Sequence, residues 1–147
     1  MRRRFATLLA VAFAGMAPVA VRAQVDCVYR TIRVSHVQGT YFDSIGEPIG
    51  NVAVELKSDG KIVATATTDD AGRFSIPVAP GKYDLVANAR GFAPGFSLID
   101  VGTDLVRVAR PTHLWVILEV GVLDRCPLTT TSRKEFDKAI QKYTQKH

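Results

Sequence analysis

Residues that usually carry chemistry are scarce in this sequence: three histidines, two cysteines and one tryptophan among 147 residues. No Cys-x-x-Cys pair occurs, so neither a dithiol redox motif nor a cysteine knuckle for zinc has a local basis. His-x-x-Glu and His-x-His pairs are absent, and no serine stands in a Gly-x-Ser-x-Gly setting. The short signatures of zinc peptidases and α/β-hydrolases are therefore missing. A calcium loop needs six or more oxygen ligands, and no acidic ladder closed by a glutamate supplies them.

Long apolar runs are lacking too. The only sustained one, "ATLLAVAFAGMAPVAV", is short for a membrane span and contains Pro18. With the cationic start Arg2-Arg3-Arg4 before it and Val21-Arg22-Ala23 after it, residues 1–23 read as a signal peptide cleaved near Ala23. The twin arginine lacks the preceding Ser/Thr and following Lys of its dedicated export route, so ordinary secretion is expected. The expected product is a secreted or periplasmic protein with no transmembrane segment.

Excess charge of one sign disappears with that segment. The full chain has 19 Lys+Arg against 14 Asp+Glu; Arg2, Arg3, Arg4 and Arg22 leave with residues 1–23 and no acid does, so fifteen face fourteen and the balance is +1. A nucleic-acid partner finds no support in such a charge. The remaining length suits one domain with one modest core.

Cys27 stands just before the first strand pattern and Cys126 just after the last. In an oxidising compartment they are expected to form a disulfide tying the ends of the domain together. A redox pair and a pair of metal ligands are the alternatives, and neither has a supporting motif nearby.

What is abundant is period-two alternation broken by turn residues. In "NVAVELKSDGKIVATATT", Val52, Val54 and Leu56 alternate, Ser58-Asp59-Gly60 turns, and Ile62, Ala64 and Ala66 alternate again. "DDAG" leads into Phe74, Ile76 and Val78; Pro80-Gly81 leads into Tyr83, Leu85, Ala87 and Ala89. "HLWVILEVGV" places Leu114, Val116, Leu118, Val120 and Val122 on one face, while "RPTHL" and "CPLTTTS" read as loops. The expected fold is all-β: an antiparallel, seven-stranded, Greek-key-like β-sandwich with a short C-terminal α-helix. The sandwich domain is expected over residues 24–127, with a loop and amphipathic helix over 128–147. In this frame Asp69-Asp70 before Ala71-Gly72 is turn chemistry: a carboxylate accepts a backbone N–H while Gly72 takes a positive φ.

The letters in order resemble the carboxypeptidase regulatory-like domain, with its transthyretin-like (prealbumin-like) sandwich. The similarity runs from Val37 and Gly39 through Asp43, Gly46, Pro48, Ile49, Asn51, Val52, Val54 and Leu56. It continues with Thr68, Asp69, Gly72, Phe74 and Ile76, and ends with Pro80, Gly81, Tyr83, Leu85, Ala89, Gly91 and Phe92. The resemblance implies an accessory or folding module, found beside peptidases, in outer-membrane receptors or alone in secreted proteins, and none of the matching residues is catalytic in the family. No cofactor is expected. Similar folds bind carbohydrate through exposed aromatics. Enzymes on related sandwiches use motifs this chain lacks: intradiol dioxygenases a His-x-His pair, and hydroxyisourate hydrolases a Tyr-Arg-Gly-Ser type tail, where this chain ends "YTQKH".

Candidate interaction residues follow. Phe92 and Phe96 flank Pro94-Gly95 and, with Trp115, are the aromatics able to stack on a sugar or peptide. Trp115 shares a strand face with Ile117 and Glu119, which suggests partial cover. His36 and His113, each expected on a strand, are the residues a metal-dependent or hydrolytic alternative would need. Ser132 with Glu135 makes a capping box ahead of Phe136, Ala139, Ile140 and Tyr143, so a helix begins there. Its Lys134, Lys138 and Lys142 form a row able to touch an anionic surface. The expectation is an exported, non-enzymatic binding, accessory or structural module, without metal, whose partner is a protein or glycan.

Overall fold

Alternating apolar residues on short segments can bury one face each only by packing two sheets together. The computed structural model shows that arrangement for the residues it describes, 27–103, 112–121 and 126–145. The expected signal peptide, Val122, Lys146 and His147 lie outside them. In chain order the strands are β1 (Thr31–Val34), β2 (Val37–Phe42), β3 (Ala53–Ser58), β4 (Lys61–Thr67), β5 (Arg73–Ile76), β6 (Gly81–Asn88), β7 (Gly95–Val101), β8 (Leu114–Ile117) and β9 (Leu128–Thr130), followed by helix α1 (Arg133–Thr144). One sheet has the order β1-β7-β6-β3-β4 and the other β5-β2-β8-β9.

Between them lie the residues that alternation selects. Val54 and Leu56 of β3, Leu85 and Ala87 of β6 and Ile99 of β7 meet Val37 and Tyr41 of β2, Phe74 of β5 and Leu114 and Val116 of β8 in one buried cluster. The Asp59-Gly60 hairpin takes positive φ at both residues, 50° and 76°, as a two-residue turn between twisted strands requires.

The sandwich departs from the expected one in strand count and direction. The described residues hold nine strands, and two pairings are parallel, β1 with β7 and β2 with β8. Parallel neighbours are distant in sequence and leave no hairpin signal, so local alternation does not announce them. β1 and β2, separated only by Ser35-His36, belong to different sheets. The segment "CPLTTTS", expected as loop, contains β9, which pairs with β8 and extends the second sheet to Thr130.

Two faces also differ. Leu56 pairs with Ala64 but Lys57 pairs with Ile62, so Val63 is set aside as a bulge. That shift turns Ile62 away from Ala64 and Ala66, and it is 54% exposed. Val120 is exposed as well, because β8 ends at Ile117 and the chain peels off toward Gly91, whose carbonyl accepts the Gly121 N–H at 3.0 Å.

The second sheet's outer face carries α1. Ser132 caps the helix by accepting the Glu135 N–H at 3.3 Å, and the Thr130 hydroxyl donates to Glu135 Oε2 at 2.6 Å. Phe136 turns inward onto Phe42 and Trp115, with ring centroids 4.7 and 5.3 Å away. Cys27 and Cys126 form a disulfide, with Cα atoms 5.4 Å apart across a sequence separation of 99.

Candidate functional site

The acidic turn is a structural device. Asp69 Oδ1 accepts the backbone N–H groups of Ala71 at 3.0 Å and Arg73 at 2.9 Å, and Oδ2 receives Arg73 Nε at 3.1 Å. The backbone N–H of Arg73 foremost, with its guanidinium, holds the Asp69 carboxyl below its ordinary value. Gly72 has φ +73° and approaches so close that a Cβ there would stand 2.6 Å from Tyr41 O. Asp43 repeats the device, accepting Ile45 and Glu47 N–H groups at 3.0 and 2.9 Å. Among the described residues no three His, Cys, Asp or Glu side chains gather as metal ligands would.

The two histidines have separate partners. His36, exposed in the bend between β1 and β2, places Nδ1 3.0 Å from Ser35 Oγ. His113 lies immediately before β8, with Nε2 2.9 Å from Thr40 Oγ1 and its ring 4.7 Å from Trp115. Neither is on a strand, contrary to expectation. Both mark the point where a strand begins, and period-two alternation does not resolve such ends. Burial pushes His113 below the ordinary histidine value by penalising its charged form.

Nor do the three candidate aromatics converge. Phe92 is half-buried against the core. Trp115 is packed between Phe42, 5.7 Å away and near-parallel, and the Arg133 guanidinium. The cover inferred from Ile117 is therefore α1, and Ile117 itself is fully buried. Phe96, by contrast, lines a cleft among the described residues. There Tyr29 stands edge-on to it, with centroids 4.9 Å apart and planes at 76°.

That cleft, about 180 Å³, opens where the two sheets part next to the disulfide, and Val28, Arg30, Ile32, Pro127 and Leu128 also line it. In its lining, Ser97 Oγ of β7 and Thr129 Oγ1 of β9 are hydrogen-bonded at 2.5 Å across the sandwich. The site therefore combines an aromatic wall, two hydroxyls and a cationic side chain. Sequence reasoning found Phe96 alone. Tyr29 precedes the first strand pattern and Thr129 sits in a segment read as loop, so neither gave a signal.

On the helix, Lys134, Lys138 and Lys142 are exposed on the side away from Phe136, and Arg133 is engaged by Asp137 at 2.8 Å. Glu119 is buried, and its Oε1 has no hydrogen-bond partner among the described residues. No helix among the described residues is long and apolar enough to cross a membrane.

The family model "Carboxypeptidase regulatory-like domain" matches residues 36–111. Structural protein 27 of a virus (isolate Australia/Victoria) is 37% identical over 67 residues, which is 46% of this chain and 12% of that protein, so this chain spans only a small part of the relative's length. Among solved structures, 5-hydroxyisourate hydrolase of Klebsiella pneumoniae is similar with a TM-score of 0.48 and 22% identity, over 66% of this chain and 97% of that one.

Proposed function

The chain belongs to the carboxypeptidase regulatory-like domain family, and on that premise we propose that it serves as an exported, non-enzymatic module that binds a glycan or protein surface. The observation that carries this reading is the Tyr29–Phe96 cleft: an aromatic wall beside paired hydroxyls suits a polyhydroxylated ligand, whose ring face stacks while its hydroxyls exchange hydrogen bonds. The disulfide fits export, since such bonds persist in oxidising compartments. Of the groups an enzyme would draw on, Asp69 is committed to its turn, and His36 and His113 have separate partners in Ser35 and Thr40 instead of sharing one site.

A glycan array with the purified protein, its Phe96→Ala and Tyr29→Ala variants and a Trp115→Phe control tests the site. Binding lost in the first two and kept in the control is the expected result; binding unchanged in all three would remove the cleft from the proposal. The catalytic alternative has its own measurement. A stoichiometric transition metal in the purified protein, lost on substitution of His36 and His113, would replace the non-enzymatic reading.

The lysine row on α1 supports a second contact, with an anionic surface. Lys134, Lys138 and Lys142 project outward together while the apolar side of the helix is spent on the sandwich. Contact would then be electrostatic without insertion, and co-sedimentation with anionic vesicles should fall as salt rises. Sedimentation unaltered by removing residues 132–147 would dismiss it.

A further inference from the structure

A sheet edge is a row of unpaired N–H and C=O groups, and proteins shorten or cover such edges to avoid adding a stranger's strand. This sandwich has four edges among its described residues, β1, β4, β5 and β9. Three are managed. β1 has four residues and follows the disulfide closely, β5 has four, and β9 has three and leads directly into α1. β4 has seven residues, and among the described residues no strand pairs with its outer side.

Its protection is confined to its first half, where Lys61 and the bulge at Val63 stand. Lys61 is the only charge in "KIVATAT" and there is no proline. Ile62 and Val63 are 54% and 50% exposed, two of the few large apolar side chains the surface shows. The bulge at Val63 interrupts the ladder, but from Ala64 to Thr67 every residue pairs in regular register with β3. That stretch is an uncharged template, and its alternation sorts cleanly. Ala64 and Ala66 turn inward against the core, while Thr65 and Thr67 are exposed.

We infer that β4 is the seam of a two-fold dimer, in which it pairs antiparallel with β4 of a second copy. Opposed residues in an antiparallel pair must lie on the same face. Centring the pair on Thr65 satisfies this. It sets Thr65 against Thr65, Ala64 against Ala66 on the inner side, and Val63 against Thr67. Threonine pairs suit such positions, the alanines let the strands approach, and no like charges meet. Lys61 falls beyond the regular stretch on either side. A two-fold contact is self-complementary and closes at two copies, joining the five-stranded sheets into one of ten. The paired edge is short, so the dimer is weak and concentration-dependent.

Sedimentation equilibrium over a concentration series reaching about 1 mM tests this with the purified chain. The native protein should associate reversibly. Thr65→Lys and Thr65→Glu should each weaken self-association by about 1.5- to 5-fold, and an equimolar mixture of the two should associate more tightly than either alone. Thr65→Cys should cross-link to itself under mild oxidation and Thr67→Cys should not, because Thr67 faces Val63. Circular dichroism of each variant confirms that the sandwich is intact. A native protein that stays monomeric throughout would overturn the inference. So would a dimer indifferent to both charges, or Thr67→Cys cross-linking as readily as Thr65→Cys. A monomer that instead captures extended peptides along β4 would assign the edge to a foreign strand.

Discussion

The Arg133 guanidinium lies over the indole of Trp115, its central carbon 4.5 Å from the ring centroid. The contact places the first residue of α1 on the strand beneath, and Phe136 one turn later completes it. A helix of twelve residues is marginal in water on its own, so these contacts hold it in place.

Phe136 is 4% exposed and touches both Phe42 and Trp115. Phe136→Ala should cost about 3–5 kcal/mol. Chemical denaturation measures the loss, and a red shift in Trp115 fluorescence should report the newly wetted indole. An unshifted spectrum with native stability would show that α1 is held by other means.

Gly39 sets the approach of β2 to β8. A Cβ there would press on Leu114 O and stand 2.7 Å from Leu114 Cβ, where neither backbone nor buried side chain can yield. Gly39→Ala should therefore destabilise by about 1–3 kcal/mol or more. At Gly60 an added Cβ meets nothing within 4 Å, so Gly60→Ala incurs only the strain of its positive φ and should be the milder change. Comparing melting temperatures ranks the two.

Asp69 predicts an acid-sensitive turn. Its folded-state value lies below its ordinary one, so its contribution is fully present above the ordinary carboxylate range and is lost as pH falls through the folded value. Thermal melts from neutral pH to about pH 2.5 should show Asp69→Asn losing its deficit relative to the native protein in acid. A constant gap between the two proteins would exclude the charge as the cause.

The disulfide closes a loop with a separation of 99 residues. Replacing Cys27 and Cys126 together by alanine should reduce stability by about 4–5 kcal/mol if the effect is chain entropy. A lower denaturant midpoint with a steeper slope would support that origin, because the unbridged unfolded chain exposes more surface, and a much smaller loss would indicate compensating relief elsewhere.

Local pattern made much of this fold readable. The alternation of Val54 and Leu56, the Asp59-Gly60 turn, the Asp69 turn and the Ser132 cap are each written within a few residues, and all stand in the structure. The family was legible for the same reason, since its turn glycines and core residues occur in order. Long-range features were not. Nothing near β1 or β2 says that β7 and β8 will lie parallel to them. The bulge at Val63 defeated the alternation that would have buried Ile62. The cleft joins Tyr29, Phe96 and Thr129, which meet only after both sheets have formed.

The Cys27–Cys126 bridge also decides how the molecule would answer a mechanical load. Tension applied at the two chain ends would pass from one cysteine straight to the other through the covalent bond, bypassing strands β1 to β8. Only β9 and α1 lie beyond Cys126 among the described residues, so they alone would be drawn out. The body of the sandwich would hang beside the line of force, intact.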